Sequence, residues 1–92
     1  MNDKIKEALG ILQEECAEVI VEVSKCNRFG TDSLHYKTGL THNTMLEMEV
    51  GDVLALIDVL IEQGVLDQHK LEIAKQNKIE KLKVWSTIFK TL

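Results

Sequence analysis

The sequence contains no proline, so no pyrrolidine ring breaks a helix anywhere in it, and strong helix formers fill most of its length. Only two cysteines occur in 92 residues, which excludes a disulfide framework. Cys16 and Cys26 lie on one expected helix, roughly 15 Å apart at about 1.5 Å rise per residue, so they cannot pair with each other within it. No apolar stretch is long enough to cross a bilayer, and no secretory leader pattern is visible. A cytoplasmic location without membrane contact is the expectation. An excess of positive charge is missing too. At a net charge of −4 there is no basic stripe to displace counterions from a nucleic-acid polymer, so none is expected as a partner. Any phosphate chemistry here must be mediated by metal.

Hydrophobic residues are plentiful at 45%, in runs such as Val53-Leu54-Ala55-Leu56-Ile57. One domain over 1–92 has a thin core of its own, since a chain this short buries only about 60–65% of its unfolded surface. The surplus apolar surface predicts self-association as a homo-dimer or homo-tetramer. The expected fold is all-α, a bundle of three main helices per protomer completed by oligomerisation.

The first helix is expected from about Asp3 to Arg28, with Ile5, Leu9, Leu12, Cys16, Val19, Ile20 and Val23 recurring at helical steps. Cys16 faces with this stripe and is expected as a packed thiol. The second is expected to begin at Thr44, where Thr44-Met45-Leu46-Glu47 has the capping-box pattern, and to end at Gly64. Asp67 caps a third, from Gln68 onward, whose last part carries Leu82, Trp85, Ile88 and Phe89. That tail is expected to dock on the bundle or on a partner subunit, with Trp85 in a core. Phe29 to Asn43 is long for a connection in a compact bundle, which marks it either as a functional loop or as a mobile connector.

Glu15 and Glu18 stand one turn apart on the same side of the first helix. Glu49 and Asp52 repeat the arrangement on the second, inside an otherwise apolar segment. Acids at this spacing ordinarily form a solvated face, but two such pairs on consecutive helices, one of them in apolar surroundings, favour a bound cation. No Lys or Arg lies one turn from Glu49 or Asp52, so a divalent ion is what would keep them charged. Mg²⁺ prefers oxygen ligands, whereas His35, His42 and His69 lack the spacing of a zinc site. Helical geometry alone reaches no further than a metal site.

Glu14-Glu15-Cys16-Ala17-Glu18, followed after a loop by Glu49-Val50-Gly51-Asp52, resembles the EExxE and ExxD motifs of the MazG-like all-α nucleoside triphosphate pyrophosphohydrolases. Ser24-Lys25-Cys26-Asn27-Arg28-Phe29-Gly30 is similar to a segment of phage-type members. The resemblance runs from about Leu12 to Leu60, with a gap between the motifs at the long end of the family pattern. It implies Mg²⁺ or Mn²⁺ at Glu15, Glu18, Glu49 and Asp52, with more than one ion per site and with Glu15 and Glu18 as the catalytic acids. It also implies cleavage of a nucleoside triphosphate to monophosphate and pyrophosphate by metal-assisted attack of water. A rival from another class is a non-catalytic helical oligomerisation or adaptor module whose acids are solvated.

The remaining assignments are weaker. Lys25 and Arg28, at the end of the first helix, and Lys75 and Lys78, in a strip with Lys81 on the third, are candidate substrate contacts. The competing reading is a favourable helix end for the first pair and a solvated face for the second. Glu14 and Glu22 are expected as surface charge, with an outer role at the metal site as the alternative. Phe29 and Trp85 are more readily core than base-stacking platforms. Because four carboxylates can see only metal and phosphate, any choice among bases is expected to fall to the long loop, with Ser33, His35, Tyr36, Thr38 and His42.

Overall fold

The structure, a computed structural model, describes residues 1–91. Its elements are three helices in chain order: α1 (Asp3–Phe29), α2 (His42–Glu62) and α3 (Gln68–Trp85). Among the described residues the only strand-like pairing is an isolated bridge between Leu34 and Thr41, so the fold is all-helical.

Each helix starts where a side chain can take up one of the N–H groups that have no intrahelical partner. The Asn2 side chain accepts from the Ile5 N–H at 2.8 Å, and Asp67 accepts from that of Lys70 at 2.8 Å. At α2 the cap is Thr41, three residues before the expected Thr44. The cause lies outside the helix. The His42 N–H donates to the Ser33 carbonyl and the Asn43 N–H to that of Thr31, both at 3.0 Å, so the loop satisfies the first turn and lets the helix begin early. Thr44 becomes the residue whose N–H and hydroxyl meet the Thr41 hydroxyl, at 3.4 and 2.8 Å.

The helices also end by local rules. Gly30 closes α1 at a φ of 90° and donates to the Cys26 carbonyl. Gly64 follows α2 at a φ of 76°, donating to the Ile61 carbonyl while Val65 donates to that of Leu60, which is the Schellman arrangement expected of a glycine there.

α1 and α2 pack side by side and antiparallel, with Phe29 against His42 at one end and Glu15 against Glu49 and Asp52 further along. α3 makes no extended contact with either. The protomer measures 43 × 38 × 14 Å, and its thickness is close to one helix with its side chains, about 10–12 Å. A radius of gyration of 16.2 Å exceeds the ~12 Å of a compact domain of this length.

The interior is correspondingly small. Ala8 and Leu60 are the buried apolar residues, and Glu22 and His42 the buried polar ones. The expected docking of the tail on its own bundle does not occur: Trp85 is 84% exposed, and Ile88 and Phe89 are exposed beside it. Ser86 ends α3 in extended conformation, and the apolar tail then leaves the helix axis. Cys16 is likewise exposed rather than packed, because the stripe it belongs to is only partly covered by α2.

Candidate metal centre

Because α1 and α2 are antiparallel, an acid pair midway along one meets the pair midway along the other. Glu15, Glu49 and Asp52 each offer a carboxylate oxygen within 4.8 Å of the others. Glu15 and Glu49 are half-buried and Asp52 is exposed, so the cluster opens to solvent on one side. Glu49 sits where the field is strongest. Partial desolvation comes first, followed by the negative charges of Asp52, Glu15, Glu18 and Glu22, and together they raise its carboxyl above the ordinary value. No neighbouring cation offsets them.

Glu18 lies outside the close group and is exposed, although its charge still reaches Glu49. Glu22, one turn further along α1, departs from the expected surface charge. It is buried; one oxygen faces the Lys25 ammonium at 3.5 Å and the other has no partner. An unpaired buried carboxylate oxygen is costly, and this one borders a site whose donors are all carboxylates. Such a donor set fits Mg²⁺ or Mn²⁺, which take oxygen ligands, and neither His nor Cys belongs to it.

The expected substrate contacts separate into two groups. Lys25 and Arg28 line a cavity of about 530 Å³ at the end of the α1–α2 pair, together with Phe29, His35, Tyr36 and His42. Lys75 and Lys78 stand on α3 away from it; Lys75 pairs with Glu72 at 3.0 Å in the open. Within one protomer α3 does not bring them to the acids.

The loop from Gly30 to Thr41 is a hydrogen-bonded structure rather than an open connector. The His35 N–H donates to the Leu40 carbonyl at 2.7 Å, and the Gly39 N–H donates back to the His35 carbonyl at 2.9 Å, with Gly39 at a φ of 72°. The Nδ1 of His35 accepts from the N–H groups of Lys37 and Thr38. His42, read from sequence as a loop residue, is the first residue of α2; it is 4% exposed and its Nδ1 has no partner. The signal that could have found it is its place directly after a capping hydroxyl.

The fold and site thus define a class: a single layer of three helices with a carboxylate cluster on the paired helices and a cationic, ring-lined cavity at one end. No protein-family model, curated protein or solved structure matches the chain.

Proposed function

We propose that this protein is a metal-dependent nucleoside triphosphate pyrophosphohydrolase of the MazG-like, phage-encoded kind, working as a homo-oligomer. The observation that carries the reading is the meeting of Glu15, Glu49 and Asp52 across two helices, since these residues come from the two separate motifs that carry the resemblance. Glu15, Glu49 and Asp52 would hold Mg²⁺ or Mn²⁺, with Glu18 joining through the open side. The bound ions supply charge neutralisation at the phosphate oxygens and acidify a water.

The chain's own contribution is placement and proton transfer. Glu15 or Glu18 accepts the proton of the attacking water, whose oxygen bonds to the α-phosphorus as the bridge to the β-phosphate breaks. The electron pair leaves on pyrophosphate, and the monophosphate stays with the base. Lys25 balances the buried Glu22 next to the cluster and stands nearest the phosphates from the cavity side. Lys75 and Lys78 reach a site only by way of a neighbouring protomer.

Self-association follows from the exposed apolar surface. Ile20 and Leu54 on the paired helices and Trp85, Ile88 and Phe89 on the tail are all open to solvent in one protomer. An adaptor module would use the same surface, so the separating experiment addresses the acids. Pyrophosphate release is measured against a panel of nucleoside and deoxynucleoside triphosphates with Mg²⁺ and with Mn²⁺, alongside the melting temperature with and without metal. Metal-dependent release and a metal-dependent rise in melting temperature are expected. No release from any nucleotide, with no rise, would leave the adaptor reading.

A further inference from the structure

The cavity at the end of the α1–α2 pair has its own chemistry. Its walls are rings: Phe29 stacks on His42 at 5.5 Å between centroids, His35 stacks on Tyr36 at 5.2 Å, and His35 meets His42 edge-on at 5.9 Å. Its charges are positive. Arg28 lies over the Phe29 ring at 4.9 Å, Lys37 lies over that of Tyr36 at 5.6 Å, and Lys25 lines the side towards the acids. At its wall stands a buried imidazole with a free nitrogen, His42 Nδ1.

Each feature excludes a ligand class. Three cations disfavour a cationic or neutral apolar guest. Ring faces on two sides are more than a simple anion needs, because stacking rewards a planar group. An unpartnered buried nitrogen calls for a ligand with a hydrogen-bonding edge. A planar heterocycle with a hydrogen-bonding edge and an attached anion meets all three requirements.

We infer that this cavity binds the nucleoside monophosphate half of a nucleotide, with the base between the Phe29–His42 and His35–Tyr36 pairs, its edge on His42 Nδ1 and its phosphate towards Lys25 and Arg28. The inference rests on the proposed hydrolase reading for its orientation. From Glu49 to His42 is about 10 Å along α2 at ~1.5 Å per residue, a span that a ribose and its phosphates bridge. Along α1 the order is Glu15, Glu18, Glu22, Lys25, Arg28, Phe29, so acids for metal, cations for phosphate and a ring for the base follow one another. The Glu22–Lys25 pair joins the two halves.

The test uses the full chain without metal, titrated with the nucleoside 5′-monophosphates, with the free nucleosides and with inorganic phosphate. Binding is followed by calorimetry and by the imidazole resonances of His42 and His35. Saturable binding of at least one monophosphate is expected, tighter than its nucleoside or phosphate alone, with the His42 signals shifting. Tyr36 and Arg28 are exposed, so Tyr36→Ala and Arg28→Ala keep the helices, and each should weaken binding about fivefold or more. His42→Gln, checked for helicity, should alter which base binds best. Absence of monophosphate binding, or affinities unchanged in both exposed variants, would overturn the assignment. Pyrophosphate release with wild-type relative rates across the nucleotide panel in Tyr36→Ala would overturn it too while sparing the hydrolase. Binding as expected without any metal-dependent release keeps the cavity and removes the hydrolase.

Discussion

α1 and α3 are both long helices with a side-chain cap at the start and apolar residues at helical spacing, yet one is packed and the other is not. The difference is what each has opposite it. α1 meets α2 along its length, and the loop between them stitches its carbonyls onto the first turn of α2. α3 follows a two-residue link after Gly64 and is held by its Asp67 cap and by exposed ion pairs, Lys75–Glu72 and Lys83–Glu80, each at 3.0 Å. Exposed pairs of this kind contribute little, typically under ~1 kcal/mol. Periodicity shows that a helix has an apolar face; it does not show that the same chain supplies the cover.

The sharpest break between the two regions is chemical. Glu49→Gln or Asp52→Asn, in the paired helices, should reduce pyrophosphate release by about 100-fold or more while circular dichroism stays unchanged. Lys78→Ala, on α3, should leave release within a few-fold in any assembly where α3 of a neighbour does not reach the acids, and reduce it where it does. Activity of Glu49→Gln close to wild type would dismiss the carboxylate site.

The next effect is on assembly. Phe89→Asp and Ile88→Asp place charge in the exposed tail, and Ile20→Asp does the same on the paired helices. Sedimentation at micromolar concentration should show wild-type oligomer and a shift to monomer in at least one of these variants. A wild-type monomer would count against the whole account of the open apolar faces.

Acidity separates the regions more gently. Glu49 holds its proton to higher pH in the folded protein than in the unfolded chain, because of its partial burial and the neighbouring carboxylates. Its contribution to stability is therefore fully present below the unfolded value and is lost as pH rises through the raised folded value. In a chelator the melting temperature should fall over that interval, Glu49→Gln should flatten the fall, and Mg²⁺ should offset it. A melting temperature that climbs through the same interval in chelator would contradict the sign.

The smallest effects are local. Asp67→Ala removes the α3 cap and should cost about 1 kcal/mol by denaturant titration, with a matching loss of helicity. Gly10→Ala, inside α1 where an added Cβ meets nothing within 4 Å, should gain about 0.5–1 kcal/mol.

Much of this was legible in the residues. Asp67 and Gly64 act through neighbours two to four positions away, and their roles were read correctly; the convergence of Glu15 with Glu49 and Asp52 followed from spacing on two helices. What was not legible depends on groups far apart in the chain. Thr41 displaces Thr44 as the cap because carbonyls of Thr31 and Ser33 reach the helix start. Glu22 and His42 read as surface charge and loop, but the packing of α1 on α2 buries both. The isolation of α3 was hidden for the opposite reason, since Leu71, Ile79 and Leu82 have the pattern of a helix with a partner.

A thickness of 14 Å also governs how the chain exchanges with its surroundings. In a single layer every backbone amide lies within a helix radius of water, so only helix hydrogen bonds and whatever covers the layer slow the exchange of its hydrogens. Exchange in α3 is then set by fraying from its capped start and its exposed end, whereas α1 and α2 shield each other along one side. If copies of the chain provide the cover, protection rises with protein concentration and so does the melting temperature, and the amount of protein made in a cell sets how much of it is folded.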